Sequence, residues 1–220
     1  MNIPEVQLLT DDLDQTRYFY HEVLGLEIHS SDSAVTRFSA GLSVLAFQKS
    51  CNIKPVYHFA FNIPNNKFEE AMDWAGSKLN LIEITPSNYV ADFKSWNAKA
   101  FYFFDNNKNI VEMIARFDLD NSSQKSFDGS SIYSISEIGV VVENPKLYAH
   151  GLLANYNLHF FSRQMPTDNF IAVGDDNGLF IIVTENRDWY PTNIRSSRHW
   201  AKITIRLPGK LEEITLNNLD

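Results

Sequence analysis

The sequence predicts an α+β fold that is built from one repeated unit. Three observations carry this prediction: short apolar runs with two-residue alternation, helical stretches that begin at capping residues, and hairpin turns rich in Gly, Asn and Asp. The stretch from Glu5 can be placed over the stretch from Glu137 without a gap, and each reads as a strand followed by a helix. Few residues are identical in the two copies, so the match rests on the roles of the residues.

The ends of the helices in these two copies carry the match. Asp12 and Asn144 stand where a helix N-cap is needed, because their side chains can accept a hydrogen bond from the first free amide groups. Gly25 and Asn157 stand at the other end, where a helix can finish in the left-handed conformation. Both stretches are therefore predicted to open the same kind of unit.

Two further copies follow the same order. "YHFAFNIPNNKFEEAMDWAGSKL" gives a strand, a polar turn and a helix, and "HWAKITIRLPGKLEEITLNN" begins a fourth copy that is expected to stop after its helix. A strand and a hairpin follow each of the first three helices, with turns near Gly41, at 105–109 and at 175–178. The unit therefore reads βαβββ, complete three times and incomplete the fourth.

A polar, serine-rich segment at 120–131 separates the second unit from the third. Such composition is typical of a boundary between domains. Residues 1–118 are therefore expected to form one domain, residues 119–132 a linker, and residues 133–220 a second domain whose last unit is incomplete.

The repeated units and three stretches within them resemble the vicinal oxygen chelate superfamily, which includes glyoxalases, bleomycin and fosfomycin resistance proteins and extradiol dioxygenases. "DDLDQTRYFYHEVLGLEI" is similar to the opening pattern of that family, and "YHFAFNI" and "FFDNNKNIVEMI" are similar to its two later signatures. The resemblance covers residues 1–117 well and rests on pattern alone over 134–220. It implies that pairs of units curl into cup-shaped half-barrels around a metal.

The resemblance also implies a metal site made of Glu5, His58 and Glu112, which match the first-strand ligand, the histidine that opens the second unit and the terminal glutamate of the family. Such a set can hold one divalent ion, Zn, Mn, Fe, Ni or Co, with positions left for water and substrate. Glu5 and Glu112 are also candidate catalytic bases, and Gln7 is the alternative ligand on the strand of Glu5. Without the resemblance, a histidine on an apolar strand is more often a hydrogen-bonded core residue.

The second half is expected to lack a metal. Glu137 corresponds to Glu5, but Lys202 stands where the first half has His58, and a protonated lysine has no lone pair for a metal. We therefore expect Glu137 and Lys202 to form an ion pair.

Four residues are predicted to bind substrate: Arg37, Gln7, Trp96 and Tyr102. An arginine among aromatic residues can hold a carboxylate or an enediolate oxygen. For the aromatic residues, ordinary packing inside the half-barrel is the alternative.

Together these features predict a metal-dependent lyase or isomerase that acts on a small molecule with two adjacent oxygens. Two carboxylates and one histidine suit proton transfer better than extradiol ring cleavage, for which two histidines and one carboxylate are expected. A ring-cleaving dioxygenase that uses Fe(II) and a non-enzymatic drug-binding protein of the bleomycin-resistance kind remain alternatives.

Composition limits the partners and the compartment. A formal charge of -8 without a dense Lys/Arg run argues against nucleic acid, and no apolar run reaches the roughly 18 residues of a membrane span. The N-terminus lacks a signal-peptide pattern, and the single cysteine, Cys51, cannot form an internal disulfide, so we expect a cytoplasmic protein. The incomplete fourth unit should leave strand edges exposed, which a second copy would cover in a homodimer.

Overall fold

A computed structural model describes residues 1–51 and 53–217 of the chain. Within these residues thirteen strands join in one mixed sheet, and three α-helices pack against it. No helix in these two ranges is both long and apolar enough to cross a membrane. The α+β class that the sequence predicts is therefore observed.

The first unit has the predicted order. Asp12 caps its helix, because the carboxylate accepts hydrogen bonds from the amides of Asp14 and Gln15, and Gly25 follows the helical segment with φ +69°. Both predicted helix ends are thus confirmed. The elements are β1 (Asn2–Thr10), α1 (Leu13–Arg17) with a π-helical continuation (Tyr18–Val23), β2 (Glu27–Ser31), β3 (Val35–Ala40) and β4 (Ser43–Lys49).

The second unit contains the hairpin predicted at 105–109. The buried carboxylate of Asp105 accepts hydrogen bonds at 2.8 Å from the backbone amides of Asn107 and Asn109, and at 2.7 Å from the hydroxyl of Tyr20. These contacts fix the turn and tie it to the first unit. The elements are β5 (His58–Ile63), α2 (Phe68–Gly76), β6 (Ala91–Phe93), β7 (Ala98–Phe104) and β8 (Ile110–Arg116).

The third unit keeps both predicted helix ends. Asn144 accepts a hydrogen bond from the amide of Leu147, and Asn157 ends the helix with φ +53°. After the helix, an isolated bridge between Phe160 and Val173 stands where the other units have a full strand. The elements are β9 (Ser134–Val142), α3 (Pro145–Tyr156), β10 (Phe170–Asp175) and β11 (Gly178–Thr184).

The fourth unit differs from its prediction, because the segment expected to form a helix is a strand. β12 (Ala201–Leu207) turns at Gly209, with φ +79°, into β13 (Lys210–Leu216). Ile214 and Leu216 are buried with a two-residue period, and all seven residues of β13 pair with β12. Cross-strand pairing therefore outweighs the helix propensity of the Lys, Leu and Glu residues in this segment.

The strand pairing shows which units combine. β1 pairs with β4 and β12, which joins the first unit to the fourth, whereas β5 pairs with β8 and β9, which joins the second unit to the third. We call these the terminal sheet (β1–β4, β12 and β13) and the central sheet (β5–β11). One β1–β9 pair, Ile3 with Ile135, connects them. This arrangement replaces the expected pairing of neighbouring units within residues 1–118 and within 133–220.

The segment expected to be a linker, residues 119–132, packs against the second unit. The side chain of Asn121 accepts a hydrogen bond from the amide of Asn65 at 2.9 Å and donates one to the carbonyl of Ile63 at 3.1 Å. The Phe127 ring is buried, with its centre 5.3 Å from that of Trp74. The segment is irregular, as its polar composition indicates. Its side chains nevertheless hold it against the second unit.

The central strands are buried on both faces, so they lack the alternation of exposed and buried residues that half-exposed strands show. On β5, Phe59, Phe61 and Ile63 belong to the main hydrophobic core, whereas Ala60 belongs to a smaller cluster on the opposite face. Since side chains two apart point the same way, His58 lies on the face of that smaller cluster. His58 and Glu112, the partner of Ala60 on β8, therefore both lie on this second face.

Candidate metal centre

Three adjacent strands of the central sheet bring His58, Glu112 and Glu137 together. Ala60 on β5 is paired with Glu112 on β8 and with Glu137 on β9, and His58 lies two residues earlier on the same face. One donor atom from each of the three side chains lies within 4.8 Å of the others, and all three side chains are buried. Strand register alone therefore assembles an O,N,O donor set.

Equivalent positions of the second and third units can be compared at this site. In the second unit His58 lies two residues before the partner of Glu112, and in the third unit Glu137 lies two residues before Gly139, the partner of Ile181. Glu137 thus takes the place of His58, and Ile181 takes the place of Glu112. The fourth position is apolar, so the described residues place three possible ligands here, and a bound ion would have coordination positions left for water or substrate.

His58 is held in the tautomer that a metal ligand requires. Its Nδ1 lies 3.1 Å from the carbonyl oxygen of Ile110, which can only accept, so Nδ1 donates the proton. Nε2 then presents its lone pair, 3.7 Å from a carboxylate oxygen of Glu112. Burial lowers the pKa of His58 to about 4, so the imidazole is neutral at pH 7. A backbone carbonyl that fixes the ring in this way is usual behind a ligating histidine.

The two carboxylates have different surroundings. Burial, reinforced by the negative charge of Glu137, raises the pKa of Glu112 well above its usual range. Burial also raises the pKa of Glu137, but the guanidinium of Arg116 opposes this effect. The proton that such a coupled pair retains is therefore favoured on Glu112, because Arg116 stabilises the charged form of Glu137.

Arg116 fixes the orientation of Glu137. Its fully buried guanidinium forms an ion pair with Glu137, donates to the hydroxyl of Ser136 at 3.1 Å, and lies 3.3 Å from a carboxylate oxygen of Asp176. The guanidinium carbon also lies 5.5 Å from the ring centre of Trp96. A buried arginine with this many partners gives Glu137 a single, rigid position.

A divalent cation fits the residues present. Two buried carboxylates repel each other, and a neutral imidazole presents a lone pair beside them, so a cation between the three would relieve the repulsion and replace the proton of Glu112. Mixed carboxylate and imidazole sets are typical of Zn, Mn, Fe, Ni and Co, the metals considered from the sequence.

The three residues face a cavity of about 260 Å³ with largely aromatic walls. The Trp189 ring covers Gly139 and lies 5.1 Å from the ring of His58. Its Nε1 is buried and has no hydrogen-bond partner among the residues that the structure describes. The other lining residues are Phe93, Ser95, Trp96, Tyr102, Gln164, Phe170, Ile181, Arg187 and Tyr190.

Two of the predicted substrate-binding residues, Trp96 and Tyr102, line this cavity. The other predicted residues lie in the terminal sheet, where Arg37 donates to Glu5 at 3.3 Å and Gln7 donates to Gln48 at 2.7 Å. Glu5 is therefore not part of the set that contains His58 and Glu112. Glu137 occupies the position in that set that was predicted for Glu5. The reason is the unit pairing, which puts β1 beside β4 and β12 and puts β9 beside β5.

The ion pair expected between Glu137 and Lys202 is not formed. Lys202 lies on β12 in the terminal sheet, and its ammonium is 3.1 Å from Glu213. Glu137 pairs with Arg116 instead. A carboxylate within the largely apolar strand "SISEIGVVV" needs a partner to offset its desolvation, so Glu137 could have been singled out by that argument alone.

Among the cavity residues that the sequence did not predict are Gln164, Arg187 and Trp189. All three lie in segments between strands, where no periodic pattern marks which side chains turn inward. Only the tertiary structure identifies them.

Comparison with solved structures identifies the fold. A putative dioxygenase from Bacillus subtilis matches 83% of this chain and 63% of its own length with a TM-score of 0.58 and 12% sequence identity. A glyoxalase I mutant from Zea mays matches 89% of this chain and 70% of its own length, also with a TM-score of 0.58 and 12% identity. Neither a protein-family model nor a curated protein sequence matches the chain. The chain thus has the same fold as a glyoxalase I and a putative dioxygenase, which confirms the predicted resemblance at the level of the fold.

Proposed function

We propose that the chain is a metal-dependent enzyme of the lyase or isomerase type, which moves a proton on a small substrate with two adjacent oxygens. The observation that carries this proposal is the buried set of His58, Glu112 and Glu137, whose donor atoms converge at the wall of a cavity. Pockets for small molecules are often about 300–1,000 Å³. A cavity of about 260 Å³ therefore favours a small substrate.

A bound divalent ion would polarise a carbonyl or enolate oxygen of the substrate. The protein's own residues divide the remaining work. Glu137 is held by Arg116 and keeps its charge, whereas Glu112 has no Arg or Lys ion-pair partner among the described residues and a strongly raised pKa. Two neighbouring acids with such different environments are typical of an acid–base pair. We therefore assign the proton transfer to Glu112 and the fixed ligand role to Glu137.

The ligand set also favours one of the alternative reactions over the other. An extradiol dioxygenase that uses Fe(II) is expected to have two histidines and one carboxylate, and this site has the reverse ratio. Proton transfer requires an acid or base within reach of the substrate, which Glu112 provides at the cavity wall. Lyase or isomerase chemistry is therefore favoured over ring cleavage.

A non-enzymatic binding protein is the second candidate. The observation that favours it is the aromatic wall of the cavity, where the ring of Phe93 lies 5.5 Å from that of Trp96 and 6.2 Å from that of Tyr190. Such a wall can hold a planar ligand without a metal.

Deuterium exchange tests the proposed chemistry. Protein loaded in turn with Zn, Mn, Fe, Ni and Co would be incubated with small α-hydroxy ketones and aldehydes in D2O, and exchange beside the carbonyl would be followed by proton NMR. Replacing Glu112 with Gln should slow exchange at least ~100-fold per bound metal, because a positioned base contributes about 10²–10⁴-fold. Glu5→Gln, in the terminal sheet, is the matched control and should exchange at the wild-type rate.

Two results would contradict this proposal. Equal rates in wild type and Glu112→Gln would remove Glu112 from the proton transfer. Absence of exchange in wild-type protein with every metal and substrate would favour the binding protein.

A further inference from the structure

Arg187 borders the cavity and forms no ion pair with the residues that the structure describes. It lies in the loop between β11 and β12, is half-buried, and has its guanidinium carbon 5.1 Å from the ring centre of Phe170. Its one side-chain hydrogen bond within the described part of the chain is to the carbonyl oxygen of Asp188, at 3.1 Å. A guanidinium has five N–H donors, so most of them are free for a ligand.

Neighbouring arginines on the same loop are paired. Arg195 lies 3.2 Å from a carboxylate oxygen of Asp188, and Arg198 lies 3.5 Å from one of Glu185. No carboxylate of residues 1–51 or 53–217 forms an ion pair with Arg187. Burial lowers the pKa of its guanidinium, and the charge of the neighbouring Asp188, which is paired with Arg195, partly opposes this effect. A half-buried cation without a carboxylate partner is costly, which is typical of a side chain that awaits an anionic ligand.

Among the cavity-lining residues Arg187 is the one permanent cation, although the chain as a whole carries a formal charge of -8.

We infer that the substrate of this cavity carries one carboxylate, bound by Arg187, on a planar body whose other end presents the two adjacent oxygens to the metal. One guanidinium matches the single charge of a carboxylate, and can bind it through two parallel hydrogen bonds, better than the charge of about -1.5 to -2 of a phosphate. Aromatic walls suit a planar body. The oxygen end of this inference rests on the proposed function, whereas the carboxylate end does not require the metal.

A matched pair of probes tests the inference. 3,4-Dihydroxybenzoate and 3,4-dihydroxybenzamide have nearly the same shape and differ in charge at the end opposite the diol. Isothermal titration of zinc-loaded protein should show the benzoate bound about 10-fold more tightly than the amide, as expected for a charge-assisted hydrogen bond. Arg187→Gln should abolish this preference. Arg198→Gln removes the same charge from the same loop outside the cavity and should retain it.

Three results would overturn the inference. These are equal affinities of the two probes for wild type, a preference that survives in Arg187→Gln, and no binding of the benzoate at millimolar concentration. Repeating the titrations on metal-free protein separates the two proposals. A preference that persists there, with affinities unchanged by zinc, would support the Arg187 site and contradict the metal's role. Weaker binding of both probes without zinc, with the preference intact, would support both.

Discussion

The candidate site depends on how single residues are partnered. Glu112 and Glu137 have the same chemistry and similar burial, but only Glu137 has an arginine against it. The family resemblance identified His58 and Glu112 in the sequence. The role of Glu137 could not be assigned in the same way, because it depends on Arg116, which comes from a different unit.

Asp105 provides a prediction about pH at the residue scale. Burial raises its pKa to about 6, against the opposing hydrogen bonds from Tyr20 and Asn109. Between pH 4 and 6 the folded state therefore binds more protons than the unfolded state, so this group makes stability fall as the pH rises. The loss should be about 3 kcal/mol of the free energy of unfolding.

Comparison with Asp105→Asn isolates this effect from other groups that titrate. Urea unfolding should show wild type more stable relative to the variant at pH 4 than at pH 7. A difference that stays constant, or that grows with pH, would mean that the hydrogen bonds to the carboxylate outweigh its burial.

At the scale of elements, the sequence predicted helix ends and turns well, because capping and hairpin geometry depend on a few adjacent residues. Asp12, Asn144, Gly25 and Asn157 all have the predicted roles. β13 was wrongly predicted as a helix, because its strand conformation depends on pairing with β12 and not on local propensity.

Two glycines give a matched test of element packing. A Cβ at Gly139, on β9, would lie 2.6 Å from the Trp189 ring and 3.0 Å from the carbonyl oxygen of His58, whereas a Cβ at Gly151, within α3, would meet nothing within 4 Å. Gly139→Ala should therefore lower the free energy of unfolding by about 1–3 kcal/mol. Gly151→Ala should raise it by up to about 1 kcal/mol.

Urea denaturation of the two variants checks this prediction. Equal changes in the free energy of unfolding, or no decrease in Gly139→Ala, would show that Trp189 is packed less tightly on β9 and His58 than the structure indicates.

At the scale of the molecule, the repeat was predicted correctly for the first two units, but the pairing of the units was not. The first strands of the units all carry apolar residues in similar patterns, so local sequence does not determine which of them meet. The contacts that decide it are long-range, Val6 with Ile203 in the terminal sheet and Phe59 with Ile138 in the central sheet. Because of this pairing, Glu5 lies outside the candidate site and Glu137 lies within it. The site therefore combines residues that precede the predicted linker in the sequence with a residue that follows it.

Metal content is the most direct test of the central claim, that the ion is held by His58, Glu112 and Glu137. Wild type, Glu137→Gln, His58→Ala and Glu5→Gln would each be saturated with Zn or Mn, desalted and examined by elemental analysis. One ion per chain should remain in wild type and in Glu5→Gln, and it should be lost from Glu137→Gln and His58→Ala, because only the latter two remove a ligand. Loss of the ion from Glu5→Gln with retention in Glu137→Gln, or a wild type that binds no metal, would contradict the account.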